Sequence, residues 1–220
     1  MSIPTSIAGT EAILARRAVR KFDTTRPIDD DLLKRILALA CRAPSASNLQ
    51  PWRFLVVRSQ ANRDKLRACA YNQPKVSEAP VVVIVLAFHK PDRTDLETVI
   101  AAQIENGVVR PEAGAEIRSR VGVSMGRVKD RSVWAMRSTM LAVSHLMLAA
   151  QSLGVGSAPM EGFVADQVAE AFGVPLDHTV CCLVALGYPA EQKPFPGRLG
   201  LERVCFEEHF GAPWTLGEDS

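Results

Sequence analysis

The sequence predicts a layered α/β or α+β domain built around one sheet. Three short apolar runs read as strands: RFLVVR at 53–58, VVVIVLA at 81–87 and TVCCLVALG at 179–187. The segments between them carry helical periodicity. The composition, 47% hydrophobic and 23% charged over 220 residues, is that of an ordinary globular chain long enough to bury its own core.

The elements follow in order. Residues 10–21 read as a short helix, and a turn follows at Arg26-Pro27. Asp29 or Asp30 caps a second helix running to about 43, with Leu32, Leu33, Ile36, Leu37 and Ala40 on one face and Pro44 as its stop. The polar loop PSASNLQP leads into the first strand, and 60–70 reads as a helix. The second run, β-branched from 81 to 85 and apolar throughout, has the pattern of a strand buried on both faces. Residues 90–128 differ: charges, scattered Gly and Pro, and weak helical patterns at about 93–105 and 111–120 suggest a helical excursion that serves as a lid or substrate wall. A long helix at 130–153 reads as a buried core helix ending at Gly154, and His145 within it reads as a satisfied core residue. SAPMEGF reads as a loop, 164–172 as a helix ending at Gly173, and 179–187 as the third strand. The tail from 188 to 220 carries four prolines and is suited to wrapping a partner. One domain spans 1–220.

The composition excludes several classes. A net charge of +2 is too mild for a nucleic-acid surface. The helix at 130–153 is interrupted by Arg137, Ser144, His145 and Gln151, so no membrane span is expected. Five cysteines, Cys41, Cys69, Cys181, Cys182 and Cys205, form no CxxC. They point to a reducing, cytoplasmic setting and to no metal site. Cys181 and Cys182, adjacent in a strand, are expected on opposite faces. GVGSAP has Pro159 where a dinucleotide fingerprint needs its third glycine, and GxxxxGK[ST], HExxH and GxSxG are all missing.

Five segments could carry chemistry. Arg16, Arg17, Arg20 and Lys21 share helical faces as like charges, a repulsion that a phosphate would relieve through the guanidinium fork. Pro44-Ser45-Ala46-Ser47-Asn48-Leu49-Gln50 offers hydroxyls, amides and free backbone N–H groups. In Tyr71-Asn72-Gln73-Pro74-Lys75, Asn72 suits an imide edge and Lys75 a carbonyl or phosphate. Pro159-Met160-Glu161-Gly162 sets a glycine beside a carboxylate, which allows backbone to approach a planar ligand. Lys193 and Arg198 lie in the tail. Taken singly, each also reads as a solvated face or plain connector.

Together and in this order, RRAVRKFD, APSASNLQPWRFLVV, YNQPK, LGVGSAPMEGF and GYPAEQKPFPGR resemble the nitroreductase family of flavoproteins over about residues 12–200. The resemblance implies an α+β fold, a three-layer α/β/α sandwich with a mainly antiparallel central sheet, in an intertwined homodimer with FMN at the interface. It implies NADH or NADPH as co-substrate and a small electron-poor acceptor, a nitroaromatic, quinone or enone. Arg16, Arg17 and Arg198, helped by Lys193, would hold the FMN phosphate. Arg20 would stabilise the reduced ring at its pyrimidine edge. Ser45, Ser47 and Asn48, with Pro44, Ala46 and Gln50 in the same loop, would reach in from the second subunit. Asn72 and Lys75 would bond the ring or ribityl chain, and Pro159, Met160, Glu161 and Gly162 would line the ring. No protein nucleophile is implied. Ala18, where many relatives have serine, removes one hydroxyl from the phosphate, and Leu49 replaces a smaller polar residue. Phe88, Met125 and Trp134 are candidate substrate-wall residues. Competing readings are a dehalogenase or flavin-cleaving enzyme of the same fold, a flavin store or sensor, and a basic interaction module without flavin.

Overall fold

A computed structural model describes residues 8–191 and 193–214. Its elements are α1 (Gly9–Ala15), α2 (Asp30–Ala40), β1 (Trp52–Val57), α3 (Gln60–Cys69), α4 (Pro74–Glu78) and β2 (Val81–Phe88). There follow α5 (Pro91–Thr94), α6 (Leu96–Glu105), α7 (Gly114–Gly126) and α8 (Arg131–Ser152). The chain then forms β3 (Gly156–Met160), α9 (Ala165–Phe172), β4 (His178–Gly187) and α10 (Leu201–Val204).

The sheet has four strands in the order β1-β2-β4-β3, each pair antiparallel. Its two faces carry separate cores. Val82, Ile84, Leu86 and Leu183 pack with Leu66 of α3, Val76 of α4 and Val168 of α9. Val81, Val83, Val85 and Val184 pack with Ile36 of α2 and Leu146 of α8. Strand β2 is therefore buried on both sides along its whole length, as its unbroken apolar run demands. Complete burial of a side chain such as Ile36 contributes about 1.5–3 kcal/mol. Helix ends are fixed locally. Asp29 accepts from Asp31 N at 2.9 Å, Asp130 accepts from Ser132 N at 2.9 Å and Val133 N at 3.0 Å, and Gly173 closes α9 in the left-handed region at φ 65°.

Four expectations need correction. The sheet has a fourth strand, β3, in GSAPM, which reads as a loop. The first helix ends at Ala15, so 16–23 is an extended strap and not a helix. Val19 N donates to Ser157 O at 3.0 Å and Ala18 bridges Ser157 in parallel. Phe22 bridges Pro189, and Asp23 N donates to Tyr188 O at 2.8 Å. The strap thus extends the β3 edge, and the helical-face argument for its arginines fails. Third, α8 is buried on one face only. Met140, Leu141 and His145 are exposed, and His145 bonds only the Leu141 carbonyl of its own helix, so it is no core histidine.

The fourth correction concerns the cysteine pair. Val85 pairs with Cys182 but Leu86 pairs with Val180, so Cys181 is the extra residue of a β-bulge. The bulge cancels the alternation, and Cys181 and Cys182 both pack toward α8. Burial pushes both thiols up to about 12, with the neighbouring Cys181 and then Glu161 adding to the rise at Cys182. At about pH 8 a thiol reagent should label exposed Cys41 at once and spare Cys181 and Cys182 until the chain unfolds. Prompt labelling of either would contradict the packing. Because the folded thiols lie above the ordinary 9.0, their stabilising contribution is full below that pH and is lost as pH rises toward 12.

Residues 90–128 form a helical excursion with a core of its own, made by Leu96, Ile100, Ile117, Val121 and Met125. It is tied down by Arg53–Asp95 at 2.5 Å and Arg131–Asp92 at 2.7 Å. Leu49, 1% exposed, is the plug that joins this core to the 44–51 loop. Its apolar side chain serves that core.

Candidate functional site

The strap, the β3–β4 edge and the start of the tail enclose a cavity of about 400 Å³. Arg17, Ala18 and Arg20 line it from the strap, Gly156 from β3, and Glu191 and Lys193 from the tail. Glycine is required at its floor. Gly156 faces Gly187 across the β3–β4 pair, and a Cβ on Gly156 would lie 2.6 Å from Val19 Cγ2. The glycine pair lets the strap lie flat on the sheet edge, and the strap brings Arg17 and Arg20 to the cavity.

Three cations and one carboxylate line this cavity, and the carboxylate, Glu191, pairs with Lys193 at 3.1 Å. Arg17 is anchored at the Leu14 and Arg16 carbonyls, 2.6 and 2.9 Å away. Its guanidinium lies 4.6 Å from the Phe195 ring centroid, and Arg198 stacks on the same ring at 5.1 Å. The two arginines, far apart in sequence, are thereby brought together beside the cavity. Arg198 does not line it, nor does Arg16, whose backbone ends α1.

Lys75 lies in the first turn of α4, a helix where the sequence suggests a turn. Burial lowers its pKa, and the nearby Arg20 lowers it further. Two cations from distant segments thus converge, an arrangement that favours an electron-rich ligand edge between them. Tyr71 and Asn72 adopt left-handed backbone, φ 51° and 54°. This turn is locked by a residue the sequence reading passed over: Gln73 Nε2 donates to Gly162 O at 2.7 Å and to Ala70 O at 3.2 Å. Glutamine at a turn gives no sequence signal for a contact 89 residues away. Gln73 therefore joins the YNQPK turn to the Glu161-Gly162 loop. In β3, Pro159 is exposed while Met160 is 4% exposed in the core, so within this pair it is Pro159 that is open to a ligand.

The Ser45–Gln50 loop lies elsewhere. None of residues 44–50 lines the cavity described above. Ser47, Asn48 and Gln50 take φ of 52°, 54° and 46°, a strain that persists only where surroundings fix it. Ser45 Oγ accepts from Gln50 N at 2.9 Å, and the 3₁₀ turn Ala46–Asn48 follows Ser45. Of the three wall candidates, Phe88 and Met125 are buried within the chain, Phe88 stacked on His178 at 4.7 Å and Met125 in the core of the 90–128 excursion. Trp134 is half-buried against that same core.

The model of the nitroreductase family matches residues 13–188. The chain belongs to the nitroreductase family. A Thermus thermophilus protein named NADH dehydrogenase is 39% identical over 193 residues, 88% of this chain and 92% of that one. YodC of Bacillus subtilis, named as a candidate NAD(P)H nitroreductase, is 28% identical over 88% of this chain and 96% of its own length. Among solved structures, a candidate nitroreductase of Exiguobacterium sibiricum in complex with FMN superposes with a TM-score of 0.87. It is 27% identical and covers 94% of this chain and 100% of that one. The antiparallel α+β architecture implied by the five motifs is the one these nitroreductase-fold proteins share.

Proposed function

We propose that this nitroreductase-family chain is an FMN-dependent oxidoreductase that carries electrons from NADH or NADPH to a small electron-poor acceptor, a nitroaromatic, quinone or enone. The observation that carries the reading is the glycine-floored cavity with Arg17, Arg20 and Lys193 on its walls. Its cationic lining fits a phosphorylated cofactor, and the glycine at its floor lets a planar ring approach the backbone. The names of the relatives, an NADH dehydrogenase and an NAD(P)H nitroreductase, and the FMN complex support the same choice.

When bound, FMN supplies acceptance of a hydride and its later delivery to the acceptor. The chain supplies position and charge. Arg17 and Lys193 hold the phosphate, with Arg198 beside them on the Phe195 ring. Arg20 and Lys75 face the ring edge where negative charge develops, and fixed cations there lower the barrier. Asn72 and the Glu161-Gly162 loop, locked together by Gln73, border the ring. Donor and acceptor use the same ring face in turn, a ping-pong order that explains the absence of a separate dinucleotide fingerprint.

The working form is a homodimer. The Ser45–Asn48 loop is remote from its own chain's cationic cavity and completes the cavity of a second copy. Two surfaces favour this: the exposed apolar side of α8 with Met140 and Leu141, and the tail, where Phe210 is 93% exposed. The lid over residues 90–128 forms the acceptor wall, with Trp134 at its base.

The test is the visible spectrum of purified protein before and after anaerobic NADH or NADPH. A flavin band that bleaches supports the reading. A band that persists with both donors points to storage or sensing, and protein that stays colourless after FMN addition overturns it.

A further inference from the structure

A second cavity, of about 570 Å³, lies between the end of α2, the 44–50 loop and α6. Its lining is unlike that of the flavin cavity. Asn48, Gln50, Gln103 and Asn106 present neutral amides, and Arg42 is the only ionised side chain among the residues that line it. Arg42 is exposed and its guanidinium has no hydrogen-bond or ion-pair partner among the described residues. Asn106 Nδ2 is already donated to Ala102 O at 2.7 Å, and Gln50 Nε2 to Asn48 O at 3.3 Å, which leaves their carbonyl oxygens as acceptors. The backbone of Asn48 and Gln50 is held in the left-handed region, so this rim has one fixed shape. Ala43, Pro44, Ala102 and Val108 also line the cavity, and no aromatic ring is among them. The lining offers acceptors and donors for sugar hydroxyls, and one guanidinium for a phosphate.

We propose that this cavity is the subsite for the phosphorylated ribose arm of the nicotinamide dinucleotide, with Arg42 paired to its phosphate. The inference rests on the flavin reading above, because Pro44, Asn48 and Gln50 belong both to the flavin-facing loop and to this cavity. A dinucleotide that delivers its nicotinamide to the ring must lay its remaining length along the protein surface, and the chain has no glycine-rich fingerprint to receive it. On that reading the rim beside Asn48 is polar surface next to the ring, and it carries an arginine without a partner among the described residues.

The experiment compares NADH with 1-benzyl-1,4-dihydronicotinamide, which carries the same reactive ring but no sugar or phosphate, on the FMN-loaded protein. Arg42→Ala should raise KM for NADH roughly tenfold, the size of one charge-assisted hydrogen bond, with kcat and FMN affinity unchanged. The same variant should leave kcat/KM for the benzyl donor at the wild-type value, and Arg42→Lys should recover part of the NADH affinity. Gln103→Glu, which sets a carboxylate in the cavity without touching the arginine, should raise KM for NADH in the same direction. Unchanged NADH kinetics in both variants, or equal losses with both donors, would overturn the assignment. If wild-type protein is reduced by neither donor, it is the flavin reading that fails.

Discussion

Arg20→Ala is expected to slow anaerobic reduction of the bound flavin by about a hundredfold, the lower end of the effect of removing one preorganised donor from a developing anion. FMN affinity should fall by much less. The difference follows from position. The end of the cavity proposed for the phosphate keeps Arg17 and Lys193, with Arg198 alongside, so on that proposal the ground-state complex retains its main electrostatic anchor. Arg20 instead lies within electrostatic reach of Lys75, whose pKa is lowered by burial and then by Arg20. These two cations repel in the empty site and are relieved most when the ring edge between them gains negative charge. Stopped-flow bleaching of the flavin band, beside an equilibrium titration of FMN, measures both quantities. Arg20→Lys keeps the charge and should recover most of the rate while losing the fork geometry. Equal losses in rate and affinity would reduce Arg20 to a phosphate ligand and remove its proposed role at the ring.

Legibility in the sequence followed the strength of local physics. Strands β1, β2 and β4 are dense in β-branched residues, and α2, α3, α8 and α9 have apolar periodicity or caps, so each was readable. The strap was misread because Arg, Ala and Lys are good helix formers. Propensity is a weak prior, and backbone pairing of Val19 with Ser157 overrides it. Strand β3 was invisible for a related reason. GSAPM has the composition of a loop, and only its place at the sheet edge admits a proline whose missing N–H is not needed by the ladder. The bulge at Cys181 has no sequence signature at all: one unpaired residue reverses the face of its neighbour.

Within the site, Arg17, Arg20 and Lys193 were legible as cations in register with a family motif, and the structure gathers them around one cavity. What joins them was not. Phe195 gathers Arg17 and Arg198 through its ring, and Gln73 ties two loops through a single amide. Both contacts depend on tertiary closure between segments far apart in the chain. Leu49 shows the opposite error. Judged as a loop residue, it reads as a loss of polarity near the cofactor, yet it is a buried plug in the core of the 90–128 excursion.

Gly187→Ala should lower both stability and FMN affinity, by about 1–3 kcal/mol in stability for an overpacked site with stiff neighbours. A Cβ at 187 would lie 2.6 Å from Pro80 Cδ and 2.8 Å from Phe22 Cδ1. Neither can retreat cheaply: the proline ring is rigid, and Phe22 is 2% exposed within the core. Phe22 also bridges Pro189, so displacing it peels the strap from the β3–β4 edge. Arg17 and Arg20 ride on that strap, and a shift that begins in the core therefore ends in the cationic cavity. Gly122→Ala is the control. Its added methyl meets nothing within 4 Å in the middle of α7, and replacing a helical glycine there should stabilise by about 0.5–1 kcal/mol with FMN binding unchanged. Thermal unfolding with and without FMN distinguishes the two. A Gly187→Ala protein with the wild-type Tm and wild-type FMN affinity would mean that the strap does not depend on the close approach at Gly187, and would cut the link drawn between sheet-edge packing and the placement of Arg17 and Arg20.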